Sequence, residues 1–227
     1  ADGILPGEGA VSLVLERLED SQAHQRRIYA VIKGLGKSGS GRLQTGDAEV
    51  ILNSLERLFS ETGLPRESIH LMETHGSGQP EQDEAETQAL NRFFASPSSG
   101  PPHCGVSSTQ PFIGHTGAAS GLASTAKAAL CLFQEMIPPM PDFTTPKDKW
   151  NPKVFHFPRS AHYWVRNREE GPRRALAGSL TRDGESFQVL LEQAPDPESI
   201  PLYEDVPASV FREKRKPLGW MPHGLFV

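Results

Sequence analysis

The stretch from Ser108 to Met136 constrains this chain more than any other. It opens Ser108-Thr109-Gln110-Pro111-Phe112-Ile113-Gly114-His115-Thr116 and then runs without a breaker through Met136, with Pro138-Pro139 ending the run. Leu122, Ala126, Ala129, Leu130, Phe133 and Met136 recur at helical spacing, which predicts one long helix. Its first turns are almost all small: Gly117, Ala118, Ala119, Ser120, Gly121, Ala123 and Ser124. Glycine inside a helix costs about 1 kcal/mol against alanine, so such an opening needs a reason. Close approach of another backbone is the expected one, and it implies a buried helix. His115 stands at the head of that helix. There the positive end of the helix dipole disfavours the imidazolium and leaves a neutral ring whose N–H can polarise a carbonyl. A capping or hydrogen-bonded core histidine fits the same residues, and both readings stay open at this point.

Along the chain, Ala10 to Leu15 and Ile28 to Ile32 read as short buried strands. Gly34-Leu35-Gly36-Lys37-Ser38-Gly39 fits G-x-G-x-x-G just after a strand. No helix opens at its third glycine, however, and the polar residues continue to Gly46, so the segment reads as a surface loop. Asp47 should cap a helix over 48–62, with Ile51, Leu55, Leu58 and Phe59 on one face and Gly63 at its end. Ile69 to Glu73 reads as a strand that delivers His75 into a Gly-rich turn, the junction where active residues of α/β sheets commonly sit. A helix follows around Ala85, Ala89 and Phe93. The acidic set before it (Glu81, Asp83, Glu84 and Glu86) suits a helix start better than a metal cage. A loop over 97–102 leads to Gly105-Val106-Ser107-Ser108. Past Met136 the chain turns proline- and aromatic-rich, and short strands are expected at 154–157, 174–180 and 187–191. From Pro195 prolines and charges indicate an extended tail.

Composition narrows the function classes. The chain's 227 residues suit one large or two small domains, and a net charge of -5 offers nucleic acid no basic field. No apolar run approaches the roughly 18 residues of a membrane-spanning helix. The polar opening Ala1-Asp2-Gly3 does not read as a signal peptide. Cys104 and Cys131 cannot make a disulfide framework, and a cytoplasmic location is expected. A metal site drawn from His70, His75, His103, Cys104 and His115 lacks C-x-x-C or H-x-x-x-H spacing, so no metal is expected. Gly117-Ala118-Ala119-Ser120-Gly121 puts its serine in the wrong place for a hydrolase elbow.

Ile113-Gly114-His115-Thr116 followed by Ala118-Ala119-Ser120-Gly121 resembles the second histidine motif of β-ketoacyl synthases, and Glu73-Thr74-His75-Gly76-Ser77-Gly78 resembles the first. Asp2-Gly3, Gly7-Glu8-Gly9-Ala10 and Leu15-Glu16-Arg17-Leu18 resemble the segment the family places between its nucleophile and the first histidine. Two distal segments, Leu130 to Pro139 and Tyr163 to Arg168 continuing into Gly171 to Ala175, are similar to ketosynthases of polyunsaturated-fatty-acid and glycolipid polyketide synthases. The resemblance covers roughly residues 1–192 and leaves 193–227 as a proline-rich tail or linker. It implies an α/β, thiolase-like fold, namely the C-terminal half of the layered α/β/α/β/α ketosynthase domain.

The implied activity is decarboxylative Claisen condensation of acyl and malonyl thioesters in fatty-acid or polyketide biosynthesis. An acyl carrier protein presents the substrates on its phosphopantetheine arm, and no cofactor of the chain's own is implied. By the same resemblance His75 and His115 are catalytic, and Gly76, Ser77, Thr116 and Gly184 bind substrate. The nucleophilic cysteine lies upstream of everything present, so Cys104 and Cys131 are structural. The other implied partners are the N-terminal half of the ketosynthase and a second copy or a chain-length factor.

Some positions depart from the family pattern. Gln110 fills the slot of a lysine, Gln79 and Gln82 replace a threonine and a glycine, and Thr181 to Ser186 keeps one glycine of a Gly-rich loop. Arg182 falls where an aromatic gate stands. These changes raise the alternative of a non-elongating, chain-length-factor-like relative that shapes a partner's acyl tunnel.

Overall fold

The computed structural model describes residues 3–39, 47–95, 102–140, 150–166 and 171–195. The expected polar continuation over 40–46, most of the loop at 97–102 and the tail beyond Pro195 lie outside the described residues. The chain divides into two units: residues 1–15 with 29–194, and residues 16–28 with 195–227. In the second unit, Leu18–Ala23 forms a short helix, α1, and Glu16 pairs with Arg26 at 3.1 Å.

The first unit is built on a six-stranded sheet. Its strands are β1 (Val31–Gly39), β2 (Leu71–Thr74), β3 (Cys104–Ser108), β5 (Phe155–His156), β7 (Arg174–Leu180) and β8 (Glu185–Glu192), in the order β1-β8-β7-β2-β3-β5. β7, β2, β3 and β5 run parallel, while β8 is antiparallel to both of its neighbours. A separate antiparallel pair joins β4 (Met136–Ile137) to β6 (His162–Tyr163).

Side chains alternate across the sheet, as the strand period of two requires. Met72, Leu176 and Leu190 point into one core with α2 (Ala48–Thr62) and α3 (Pro80–Phe93). Their neighbours Leu71, Ala175 and Leu191 point into another with α5 (Ser120–Gln134). Three layers result, with the sheet in the middle.

α2 follows its sequence. The Asp47 side chain accepts from Glu49 N at 2.9 Å, Gly63 closes the helix in the left-handed conformation, and Ile51, Leu55, Leu58 and Phe59 are buried. The expected strands at 69–73, 154–157, 174–180 and 187–191 all form, with ends shifted by a few residues.

Several expectations need correction. The buried strand expected at 28–32 begins only at Val31, and Ile32 is 39% exposed. Gly34 to Gly39 is no loop but most of β1, paired with β8. Gly34 and Gly36 allow close contact with α2, because a Cβ on Gly36 would overlap the Ser54 carbonyl. Ala10 to Leu15 forms no strand, and Val14 is 94% exposed. The long helix stops at Gln134 rather than at the prolines. Glu135 turns left-handed at φ 53, its carbonyl accepts from Trp164 N at 2.7 Å, and Met136 passes into β4.

α5 is buried on one side only, and not on the side of its apolar stripe. Ala123, Ser124, Thr125, Lys127, Ala128, Cys131 and Leu132 face inward, whereas Leu122, Leu130 and Phe133 are exposed. Close approach of backbone is nevertheless present: a Cβ on Gly121 would come within 3.0 Å of Ser179 on β7.

Candidate active site

β2, β3 and β7 are parallel, so the segments after their C-terminal ends share one edge of the sheet. The turn carrying His75 follows β2. The short helix α4 (Gln110–Ile113), Gly114 and His115 follow β3. The Thr181–Gly184 turn, with Arg182 and Gly184, follows β7 and closes through Thr181 N donating to Glu185 O at 2.9 Å. Ligand crevices of open α/β sheets lie along this kind of edge.

The two histidines meet there. Their rings are 5.4 Å apart, centroid to centroid, and perpendicular. His75 is buried, at 4% exposure. Burial, followed by the neighbouring His115, lowers its pKa to about 4, so the ring is neutral near neutral pH. Gly117 N donates to His115 Nδ1 at 3.0 Å, which assigns the proton of a neutral His115 ring to Nε2. His115 is not at the head of α5 itself: a 3-10 turn, Gly117–Ala119, lies between them.

The His75 loop is fixed by two acidic side chains of α3. Glu86 on α3 accepts from His75 N at 2.7 Å and from Gly76 N at 3.0 Å. Burial pushes the Glu86 carboxyl up to about 7, although both N–H bonds favour its ionised form. Asp83 accepts from Ser77 Oγ and Gly78 N, both at 3.3 Å. Acidic residues at the start of α3 thus hold the His75 turn as well as favouring a helix start.

The segment after Ala1-Asp2 straps both loops together. Gly3 N donates to Gly78 O at 3.2 Å, Gly7 N to His115 O at 3.1 Å, and His115 N to Leu5 O at 2.7 Å. A Cβ on Gly7 would overlap the Ile113 carbonyl, so glycine is required where the strap crosses the second motif.

Among the other expected site residues, Gln110 Nε2 donates to His75 O at 2.8 Å and ties the two loops directly. Thr116 Oγ1 lies 3.4 Å from Ser120 Oγ. The Ser77 hydroxyl serves its own turn, accepting from Gln79 N at 3.1 Å. Both cysteines are buried. Burial raises the Cys104 thiol strongly, and burial with Glu73 pushes Cys131 up to about 12, so neither is a thiolate. Among the described residues no cluster of three or more His, Cys, Asp or Glu side chains could hold a metal ion.

The motifs alone passed over three features: Glu73, Lys127 and the contact of residues 3–7 with both loops. A lone lysine among Ala, Thr and Cys in a buried helix and a lone glutamate in an apolar strand were the available signals.

Comparison with known proteins gives the same direction. The profile of the family described as "Beta-ketoacyl synthase, C-terminal domain" matches residues 29–144. Polyketide synthase PksL of Bacillus subtilis is 34% identical over 199 residues, which is 85% of this chain and 4% of PksL. A mycocerosic acid synthase-like polyketide synthase of Mycobacterium tuberculosis is 31% identical over 203 residues, covering 87% of this chain and 9% of that protein. The ketosynthase from module 6 of the Bacillus subtilis bacillaene synthase superposes with a TM-score of 0.74 at 27% identity, over 79% of this chain and 33% of its own. The ishigamide ketosynthase/chain length factor, at 23% identity and a TM-score of 0.72 over 85% of this chain and 45% of its own, shares the fold. The chain therefore spans under half of each of these relatives. With the thiolase-like layers, the paired histidines and the matching profile together, the chain belongs to the β-ketoacyl synthase family, whose C-terminal domain it carries.

Proposed function

We propose that this chain supplies the decarboxylating side of a ketosynthase active site in a polyketide or fatty-acid synthase. The observation that carries the reading is the pair of imidazoles 5.4 Å apart, with His75 held neutral by burial and His115 Nδ1 engaged by the Gly117 N–H. Two imidazoles brought this close can offer N–H donors to an oxygen that gains charge during reaction.

In that role the two rings hold the thioester carbonyl of a malonyl group. The bond to its carboxylate breaks, carbon dioxide leaves, and the electron pair passes to the carbonyl oxygen as an enolate. The enolate carbon then attacks an acyl thioester and releases a thiolate. That acyl group waits on a cysteine of a family-type N-terminal half, since Cys104 and Cys131 are buried with raised pKa values. An acyl carrier protein delivers both thioesters on its phosphopantetheine arm, with Gly76, Ser77, Thr116 and Gly184 against the substrate and Arg182 at its gate.

The exposed stripe of Leu122, Leu130 and Phe133 on α5 is where the N-terminal half packs, and the assembled domain works as a homodimer or a ketosynthase/chain-length-factor pair. Two free buried cysteines fit a cytoplasmic location, and no helix among the described residues is long and apolar enough to cross a membrane.

One observation favours a second reading. Gln110 is uncharged and spends its amide on the His75 carbonyl, so a structural, non-elongating partner is the alternative. Mass spectrometry after incubation with acyl and malonyl carrier-protein thioesters separates the two. The chain alone should condense nothing. The chain joined to a family N-terminal half should form a β-ketoacyl product, and its absence there favours the structural partner.

A further inference from the structure

We infer that the buried Glu73–Lys127 ion pair is a positioning device that sets His75 against His115, a role that rests on the histidine reading above. Lys127 lies in the middle of α5, its side chain 10% exposed, and Glu73 is fully buried two residues before His75. The ammonium is 3.0 Å from Glu73 Oε1 and donates to Oε2 at 3.1 Å. It also donates to Ser107 Oγ at 2.6 Å and to Ser108 O at 3.0 Å, and its Nζ lies 4.7 Å from the centroid of the Phe112 ring. Thr109 Oγ1 adds a bond to Glu73 Oε2 at 3.3 Å.

One ammonium therefore joins the end of β2, the end of β3, the first residues of the second histidine motif and α5. Its three hydrogens all have partners on the segments that lead into His75 and His115. A lysine donates three such bonds from one point, so its position fixes those segments relative to each other. Glu73 is fully buried and Lys127 nearly so, so the pair points its charges at the fold rather than at solvent. A buried ion pair is also costly to desolvate, and an apolar pair of similar volume is often equally stable. Stability alone is thus a weak reason for charges here, whereas fixing a unique geometry is a sufficient one.

The test uses this chain joined to a family N-terminal half, with the Glu73→Met/Lys127→Met double variant. Losing both charges together leaves no uncompensated ion, so the double variant is expected to fold with a Tm close to the parent's. Its kcat for carbon dioxide release from malonyl carrier protein should fall about 10- to 100-fold with KM little changed, the scale of a small misplacement of reacting groups. The imidazole 15N signals of His75 and His115, assigned with His75→Asn and His115→Asn variants, should move as well. Should the double variant fail to fold, Ser107→Ala removes one ammonium partner and keeps both charges, and the same signals should move by less. Parent signals and parent kcat in a folded variant would overturn the inference. If the parent itself releases no carbon dioxide, the ketosynthase reading fails while the imidazole signals still decide the positioning.

Discussion

α2 and α5 are each fifteen residues long and pack on opposite faces of one sheet, yet the surfaces they bury differ in size and polarity. α2 puts Ile51, Leu55, Leu58 and Phe59 inside, where apolar burial holds it. α5 puts Ser124, Thr125 and Lys127 inside with small residues, and leaves Leu122 44% exposed. The inner face of α5 mixes polar groups near the histidines with Ala128, Cys131 and Leu132 further along, and its larger apolar side chains stay outside. α2 serves the core and α5 serves the chemistry.

The largest expected effect lies on α2. Leu55→Ala removes a side chain with no exposure and should cost about 2–5 kcal/mol by urea unfolding, the usual range for a core leucine. A loss under about 1 kcal/mol would mean that α2 is not held by its core face. Gly36→Ala comes next, because the new Cβ meets the Ser54 backbone; about 1–3 kcal/mol is expected. Gly121→Ala on α5 meets only the Ser179 side chain and should cost less than Gly36→Ala in the same assay.

Acid sharpens the contrast through His70 and His75. His70 is lowered to about 4 by burial and then by Arg166, and His75 to about 4 by burial and then by His115. Both are bases that the fold keeps neutral, so their contribution is complete above the ordinary value of 6.5 and is lost as pH falls from 6.5 toward 4. Glu86 acts in the opposite sense: its carboxyl is raised to about 7, so its contribution is lost as pH rises from 4.5 toward 7. The histidines outweigh it, and a net loss on the order of 1 kcal/mol is expected between pH 6.5 and 5. Unfolding midpoints across that interval check the sign, and a flat or rising stability on acidification would contradict it. The smallest effect belongs to the outer face of α5: Leu122→Ser should change stability of the chain alone by no more than about 0.5 kcal/mol. Joined to an N-terminal half, the same variant should be clearly destabilising, and parity in both settings would leave that face without a cover.

Much of this fold was legible because propensity and packing agree along it. The Asp47 cap, the apolar stripe of α2 and Gly63 are local signals, and they matched. The histidines were legible through motif spacing, although their 5.4 Å approach depends on which strands neighbour each other. The Gly34–Gly39 run misled because a glycine that admits a packed helix looks like a glycine that makes a loop. The stripe on α5 misled because periodicity reports that two faces differ, without saying which one meets this sheet. Lys127 and Glu73 each stand out as a lone charge among apolar neighbours, but nothing at either position says that the two pair.

The central claim, that His75 and His115 act together on a malonyl thioester, is met most directly by carbon dioxide release from malonyl carrier protein across pH. The measurement compares the chain joined to a family N-terminal half with its His75→Ala and His115→Ala variants. Each substitution should lower the rate about 10²–10³-fold, the scale of one lost oxyanion donor. Gln110→Lys should change the rate or its pH profile only modestly. Alanine variants that match a decarboxylating parent at every pH would make both histidines structural and contradict the claim.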